Sequence, residues 1–176
     1  MATHIVLLRG VNVGGNRKLA MSDLRTWAEG LGFAGVRTLL QSGNLLLDHA
    51  GEGGAALEQR LESAVAAALG LSTDFIVRTP EEMEAVIAHN PFPEAAEADP
   101  SRLLVTFLKQ PPAAEAVAAV LAEAARQPEQ VRADGREVYV VYPSGAGDSK
   151  LKLNFRVPGT ARNWNTVRKL AAMARA

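Results

Sequence analysis

The chain has 176 residues, 48% hydrophobic and 22% charged, with 19 basic and 19 acidic side chains and no Cys. That size and apolar content exclude disorder and suit one domain or two small ones. No apolar run reaches the roughly 18 residues of a membrane helix, and the N-terminus lacks the basic flank of a secretory signal. Without Cys there is no disulfide, thiolate metal site or Cys nucleophile, so a soluble cytoplasmic protein is expected.

The hydrophobic period switches repeatedly along the chain. Ile5 to Leu8 is a short continuous apolar run, read as a buried strand ending at Arg9-Gly10. A Gly-rich loop runs from Gly10 to Lys18. Leu24, Trp27, Ala28 and Leu31 then recur at helical spacing until Gly32 stops them. Val36 to Leu40 and Leu45 to Leu47 flank Gln41-Ser-Gly-Asn44, which predicts a hairpin. Leu57, Leu61, Ala64, Val65 and Ala68 mark a second helix closed by Gly70, and Phe75 to Val77 a fourth strand. The order β-α-β-β-α-β is that of a ferredoxin-like plait.

Residues 80–101 read as a short helix followed by a Pro- and acid-rich linker. The order then repeats: a strand over Leu103 to Leu108, an Ala-rich helix with Val117, Val120 and Leu121, and a hairpin at Asp134-Gly135. The end is less regular, with Ser149 to Phe155, a Pro158-Gly159 break, and a helix carrying Trp164, Val167, Leu170 and Ala171. The expected fold class is α+β, two tandem ferredoxin-like (α/β-plait) units with antiparallel sheets and a C-terminal helix. The expected boundaries are 1–79, a connecting 80–101, and a modified second unit over 102–176.

Plait topology decides which loops meet. The third strand lies between the first two and runs antiparallel to both. The loop after strand one and the turn between strands two and three therefore emerge at the same end of the sheet. That groups Arg9, Asn12, Gly14, Gly15 and Lys18 with Gln41, Ser42 and Asn44 as candidate ligand-binding residues.

Charge supports an anionic ligand. Residues 1–44 carry a net +3, residues 45–101 a net −9 and residues 102–176 a net +6. Glycines let backbone N–H groups converge on an anion, and a following helix N-terminus adds partial positive charge. The loop fits neither the dinucleotide nor the P-loop spacing, and Asn16 stands where the P-loop Lys would be. A connecting loop that needs Gly only for its turns is the favoured reading of that pattern alone. In Thr160-Ala-Arg-Asn-Trp-Asn165, Thr160 or Asn163 can cap the helix, Arg162 can hold a phosphate or carboxylate, and Asn163, Trp164 and Asn165 can line the site. Trp164 is better read as a core anchor than as a base-stacking platform.

Other chemistry is thinly represented. His4, His49 and His89 show no metal-ligand spacing, so no metal and no cofactor is expected. Ser42 and Ser144 have no identifiable His or Asp partners, and Gly-x-Ser-x-Gly is absent. Tyr139 and Tyr142 fall on opposite faces of a strand, unlike an RNA-binding plait.

Leu8-Arg-Gly-Val-Asn-Val-Gly-Gly15, Thr38-Leu-Leu-Gln-Ser-Gly-Asn44 and Thr160-Ala-Arg-Asn-Trp-Asn-Thr-Val167, with Met21-Ser-Asp-Leu-Arg25 and Leu31-Gly-Phe33, give a resemblance to a known family. The sequence resembles the uncharacterised bacterial DUF1697 proteins over nearly its whole length. The resemblance implies two plait-like units and no established activity. One departure is a short stretch, Lys152 to Gly159, where the family pattern has a longer helical segment, so the closing helix of the second plait is expected to be shortened.

Three functions compete. The first is a binding module for an anionic ligand, either a nucleotide-like small molecule or nucleic acid. The second is an enzyme on a phosphorylated or carboxylated small molecule, with Arg9 and Arg162 on the anion and Asn12, Gln41 and Asn44 as positioners. Its weakness is that amides cannot move protons as His or Glu do. The third is a protein–protein module or homodimer formed through an open sheet face, with no membrane partner in any of the three.

Overall fold

A computed structural model describes residues 1–12, 18–40 and 42–176. The protein is α+β, with two four-stranded antiparallel sheets. Its contacts group residues 1–84 with 170–176 as one unit and 85–169 as the other.

The first unit runs β1 (Ala2–Leu8), α1 (Met21–Gly30), β2 (Ala34–Leu39), β3 (Asn44–His49), α2 (Gly54–Leu69) and β4 (Phe75–Arg78). Its sheet order is β2-β3-β1-β4, so β3 lies between β1 and β2 as the plait order predicts. Strand period and helix period meet in one core. Val6 and Leu8 of β1, Leu45 and Leu47 of β3, and Phe75 and Val77 of β4 pack with Leu24, Trp27 and Ala28 of α1 and Leu57, Leu61 and Val65 of α2. The intervening strand residues Ile5, Leu7, Leu46 and Ile76 are also buried.

Strand β4 is an edge strand, and its outward amides are not left bare. Glu62 Oε2 accepts from Phe75 N and Glu58 Oε2 from Val77 N, each at 2.8 Å. Two carboxylates four residues apart on α2 thus continue the ladder where no further strand can. Gly70, at φ 62°, closes α2 as predicted.

The chain passes from the first unit to the second within α3 (Pro80–Ala88). The stretch expected to be a linker holds α4 (Pro93–Ala98), started by a Pro in its first turn, and a 3₁₀ turn over Pro100–Arg102. Next come β5 (Leu103–Leu108), α5 (Ala114–Ala124), β6 (Gln130–Asp134), β7 (Glu137–Val141), β8 (Gly159–Asn163) and α6 (Trp164–Arg175). The sheet order β6-β7-β5-β8 repeats that of the first unit. Between β7 and β8 the second plait helix is missing, and among the described residues only a 3₁₀ turn, Ala146–Asp148, stands there.

Residues 159–163 need correction. They form β8 along β5 rather than an irregular lead into the last helix. Lys109 N donates to Pro158 O at 2.9 Å, so the Pro ends the irregular segment and begins the pairing. Gly159 then passes so close to β5 that a Cβ would sit 2.6 Å from Leu108 Cδ2.

Candidate functional site

In the first unit, the loop after β1 and the turn between β2 and β3 meet. Leu8 N donates to Gly43 O at 2.9 Å. Gly43 has φ +84°, and a Cβ on it would fall 2.6 Å from Val11 Cγ2 and 2.9 Å from Leu8 Cβ. Only glycine permits that approach.

Several residues expected to bind a ligand hold this junction together. Asn12 takes φ 55°, donates from Nδ2 to Leu19 O and accepts Leu19 N on Oδ1, both at 2.8 Å. One amide thus clasps both backbone groups of a residue seven positions on. Asn44 is fully buried, and its Nδ2 donates to Leu39 O at 2.9 Å and Ser42 Oγ at 3.0 Å, closing the turn. Arg9 stays half-exposed and pairs with Asp74 at 3.2 Å. Gly14, Gly15 and Gln41 lie outside the described residues.

Beside the clasp, a cleft of about 500 Å³ is lined by Lys18, Leu19, Asp23, Thr26, Trp27 and Leu69. Lys18 is exposed at its rim. Helix α1 starts here with Ala20 at its N-cap, which offers no side-chain acceptor to the first amides. The Trp27 ring packs against Phe75, with centroids 5.9 Å apart. Trp27 is only 9% exposed, yet its Nε1 has no hydrogen-bond partner. A buried indole N–H without an acceptor is uncommon. With Lys18 and an uncapped helix start beside it, the cleft combines an apolar body with donors.

The 160–165 stretch belongs to the second unit. Arg162 lies in β8, buried, and its Nη1 donates to Thr160 Oγ1 at 2.6 Å and Ala161 O at 2.8 Å. Burial pushes its guanidinium down to about 10. Asn163 caps α6 by accepting Thr166 N on Oδ1 at 3.0 Å. Trp164 is buried, and Asn165 is exposed. These residues bond within their own unit, and none of them is among the residues that line the first-unit cleft.

The sequence reading missed a histidine pair. Antiparallel register sets Ala2 opposite His49 and His4 opposite Leu47, bringing the two rings to 6.5 Å. His4 is buried, and neither ring nitrogen has a partner. Burial, and then His49, lower its pKa from 6.5, while Asp48 and Glu52 oppose the shift. His49 stands edge-on to Phe33 at 5.0 Å and 3.2 Å from Glu52, which also pairs with Arg60 at 3.2 Å. The carboxyl of Glu52 is held at about 2, first by its own backbone amide and then by His49 and Arg60. Among the described residues, no group of three metal-ligating side chains occurs and no helix is long and apolar enough to cross a membrane.

Two kinds of similarity, to a family and to a solved structure, place the chain among known proteins. The model of the family described as "Protein of unknown function (DUF1697)" matches residues 1–139. A solved structure of the conserved bacterial protein SP0830 from Streptococcus pneumoniae is similar, with a TM-score of 0.74 and 24% identity. That match covers 98% of each chain and supports the fold. No curated protein matches.

Proposed function

Because the chain belongs to the DUF1697 family of proteins of unknown function, we propose from its own site that it binds a small nucleotide-like anion in the cleft beside α1. The observation that carries this reading is the meeting at one cleft of Lys18, the start of α1 and the ring of Trp27, whose indole N–H is buried without a partner. An indole N–H needs an acceptor, and an anionic oxygen is a strong one. Lys18 supplies a full positive charge at the rim, and the uncapped start of α1 supplies a partial one. Leu19, Leu69 and the edge of Trp27 suit a flat apolar body attached to the anion. Asp23 is the one carboxylate among the described lining residues, and no His joins it, so binding is favoured over catalysis. A cytoplasmic setting fits the Cys-free composition.

Adenosine monophosphate, inorganic phosphate and a short single-stranded oligonucleotide, each titrated in a thermal-shift assay, test this. Adenosine monophosphate at a hundred times its dissociation constant should add about 2.7 kcal/mol, a rise of roughly 2–4 °C. Trp27→Phe keeps an aromatic ring against Phe75 and removes the donor, so it should abolish that rise. A shift from the oligonucleotide alone, falling with a log–log salt slope of about −3 to −4.5, would replace the small ligand with nucleic acid. No shift from any of the three would end the reading.

A further inference from the structure

A second cavity lies in the second unit, where the segment between β7 and β8 takes the place of the plait's second helix. It is a half-open cavity of about 210 Å³, lined from two sides, by the connection ahead of β6 and by residues of the 143–150 segment. Glu129 lines it and is only 8% exposed, whereas Ser144, Asp148 and Lys150 are exposed around it. Glu129 Oε1 accepts from Ser149 Oγ, and that hydroxyl oxygen accepts Leu151 N at 3.1 Å. Glu129 Oε2 is buried with no hydrogen-bond partner. A desolvated carboxylate with half its acceptor capacity unused is costly, and Glu129 also lines the cavity, so its donor can come from outside the chain.

We propose that this cavity binds a compact zwitterion of the amino-acid class, its ammonium paired with the Glu129 carboxylate and its carboxylate lying near Lys150. A carboxylate can only accept, so the buried end of the ligand must be a donor, and a cationic donor offsets the charge as well. Lys150 at the rim supplies the opposite sign for the other end. A bare metal ion is a poorer occupant. Calcium requires six to eight oxygens, whereas Pro128 and Pro143 line this cavity with methylenes and no cluster of three ligating side chains occurs among the described residues. The volume exceeds the roughly 150 Å³ that admits benzene, enough for a short amino acid. The missing helix supports the same reading. Its replacement, not a regular element, delivers Ser149 to the acid, so the departure from plait order and the half-satisfied carboxylate occur at one place.

The test is amide NMR titration of the full chain with β-alanine, propionate and propylammonium. β-Alanine should shift the amides of Glu129 and residues 144–151 saturably, at concentrations up to about 100 mM, a hundredfold above a millimolar dissociation constant. Propionate, which lacks the ammonium, should not. Glu129→Gln should weaken β-alanine by more than about tenfold, the loss of one charge-assisted hydrogen bond. Lys150→Ala, an exposed change that leaves the fold intact, should weaken β-alanine and leave propylammonium unaffected. If β-alanine produces no saturable shift, or propionate binds as well as β-alanine, the assignment is overturned. Both outcomes are read on the unmodified protein and do not depend on any variant folding.

Discussion

At the scale of single residues, the polar side chains of the first unit mostly serve the backbone. Asn12 holds both backbone groups of Leu19 from a left-handed conformation that Asn tolerates better than most residues. Asn12→Ala removes two hydrogen bonds and adds strain, so unfolding in urea should show a loss of about 2 kcal/mol. The ligand-induced thermal shift should fall with it, because Lys18 sits at one end of the clasped segment. Glu58 is the parallel case on α2, buried and bound to Val77 N. Glu58→Met fills similar volume but leaves that buried amide without an acceptor, and should cost about 1–3 kcal/mol in the same measurement.

At the scale of elements, helix α6 starts because Asn163 caps it, and Asn163→Ala should lower the thermal midpoint by an amount equivalent to about 1 kcal/mol. What the sequence revealed, and what it hid, follows from which elements carry a period. Helices α1 and α2 bury one face each and so repeat at helical spacing, and Asp134-Gly135 turns a hairpin with Gly at φ 59°. Strand β8 has no such period. Gly-Thr-Ala-Arg-Asn is an edge strand whose one buried long side chain is an arginine bound to its own neighbours, so it reads as a cap sequence. The meeting of the Gly43 turn with the loop after β1 was legible because topology alone dictates it. The backbone bonds of Asn12 and Asn44 were not, since an amide that binds a ligand and one that binds backbone look alike in one dimension. Trp27 Nε1 and Glu129 Oε2 were hidden for a simpler reason: a missing partner is a property of the folded surroundings, not of the residue.

At the scale of the whole molecule, the segregated sequence charge is partly neutralised by folding. Arg175, near the C-terminus, reaches Glu84 at 2.6 Å and Glu81 at 3.3 Å, and Arg37 donates to Met173 O at 3.2 Å. One cation of the tail is thereby paired with the acidic start of α3, and a first-unit arginine ties down a tail carbonyl. Acid sensitivity should arise instead at His4. Its folded pKa lies below 6.5 because burial and His49 disfavour the imidazolium, and Asp48 and Glu52 only partly compensate, with Arg60 already sharing Glu52. The unfolded chain therefore binds a proton near pH 6.5 that the folded chain refuses. Stability from this site is complete above that pH and is lost as pH falls through it, at a slope of at most about 1.4 kcal/mol per pH unit. Urea midpoints measured at pH 8, 6.5 and 5.5, above the main range of carboxylate titration, should decline for the natural chain. His4→Leu should flatten the decline and raise stability at the acid end. A natural chain whose midpoint is the same at all three pH values would mean that the ring finds a proton acceptor in solution, and that His4 is not buried without partners.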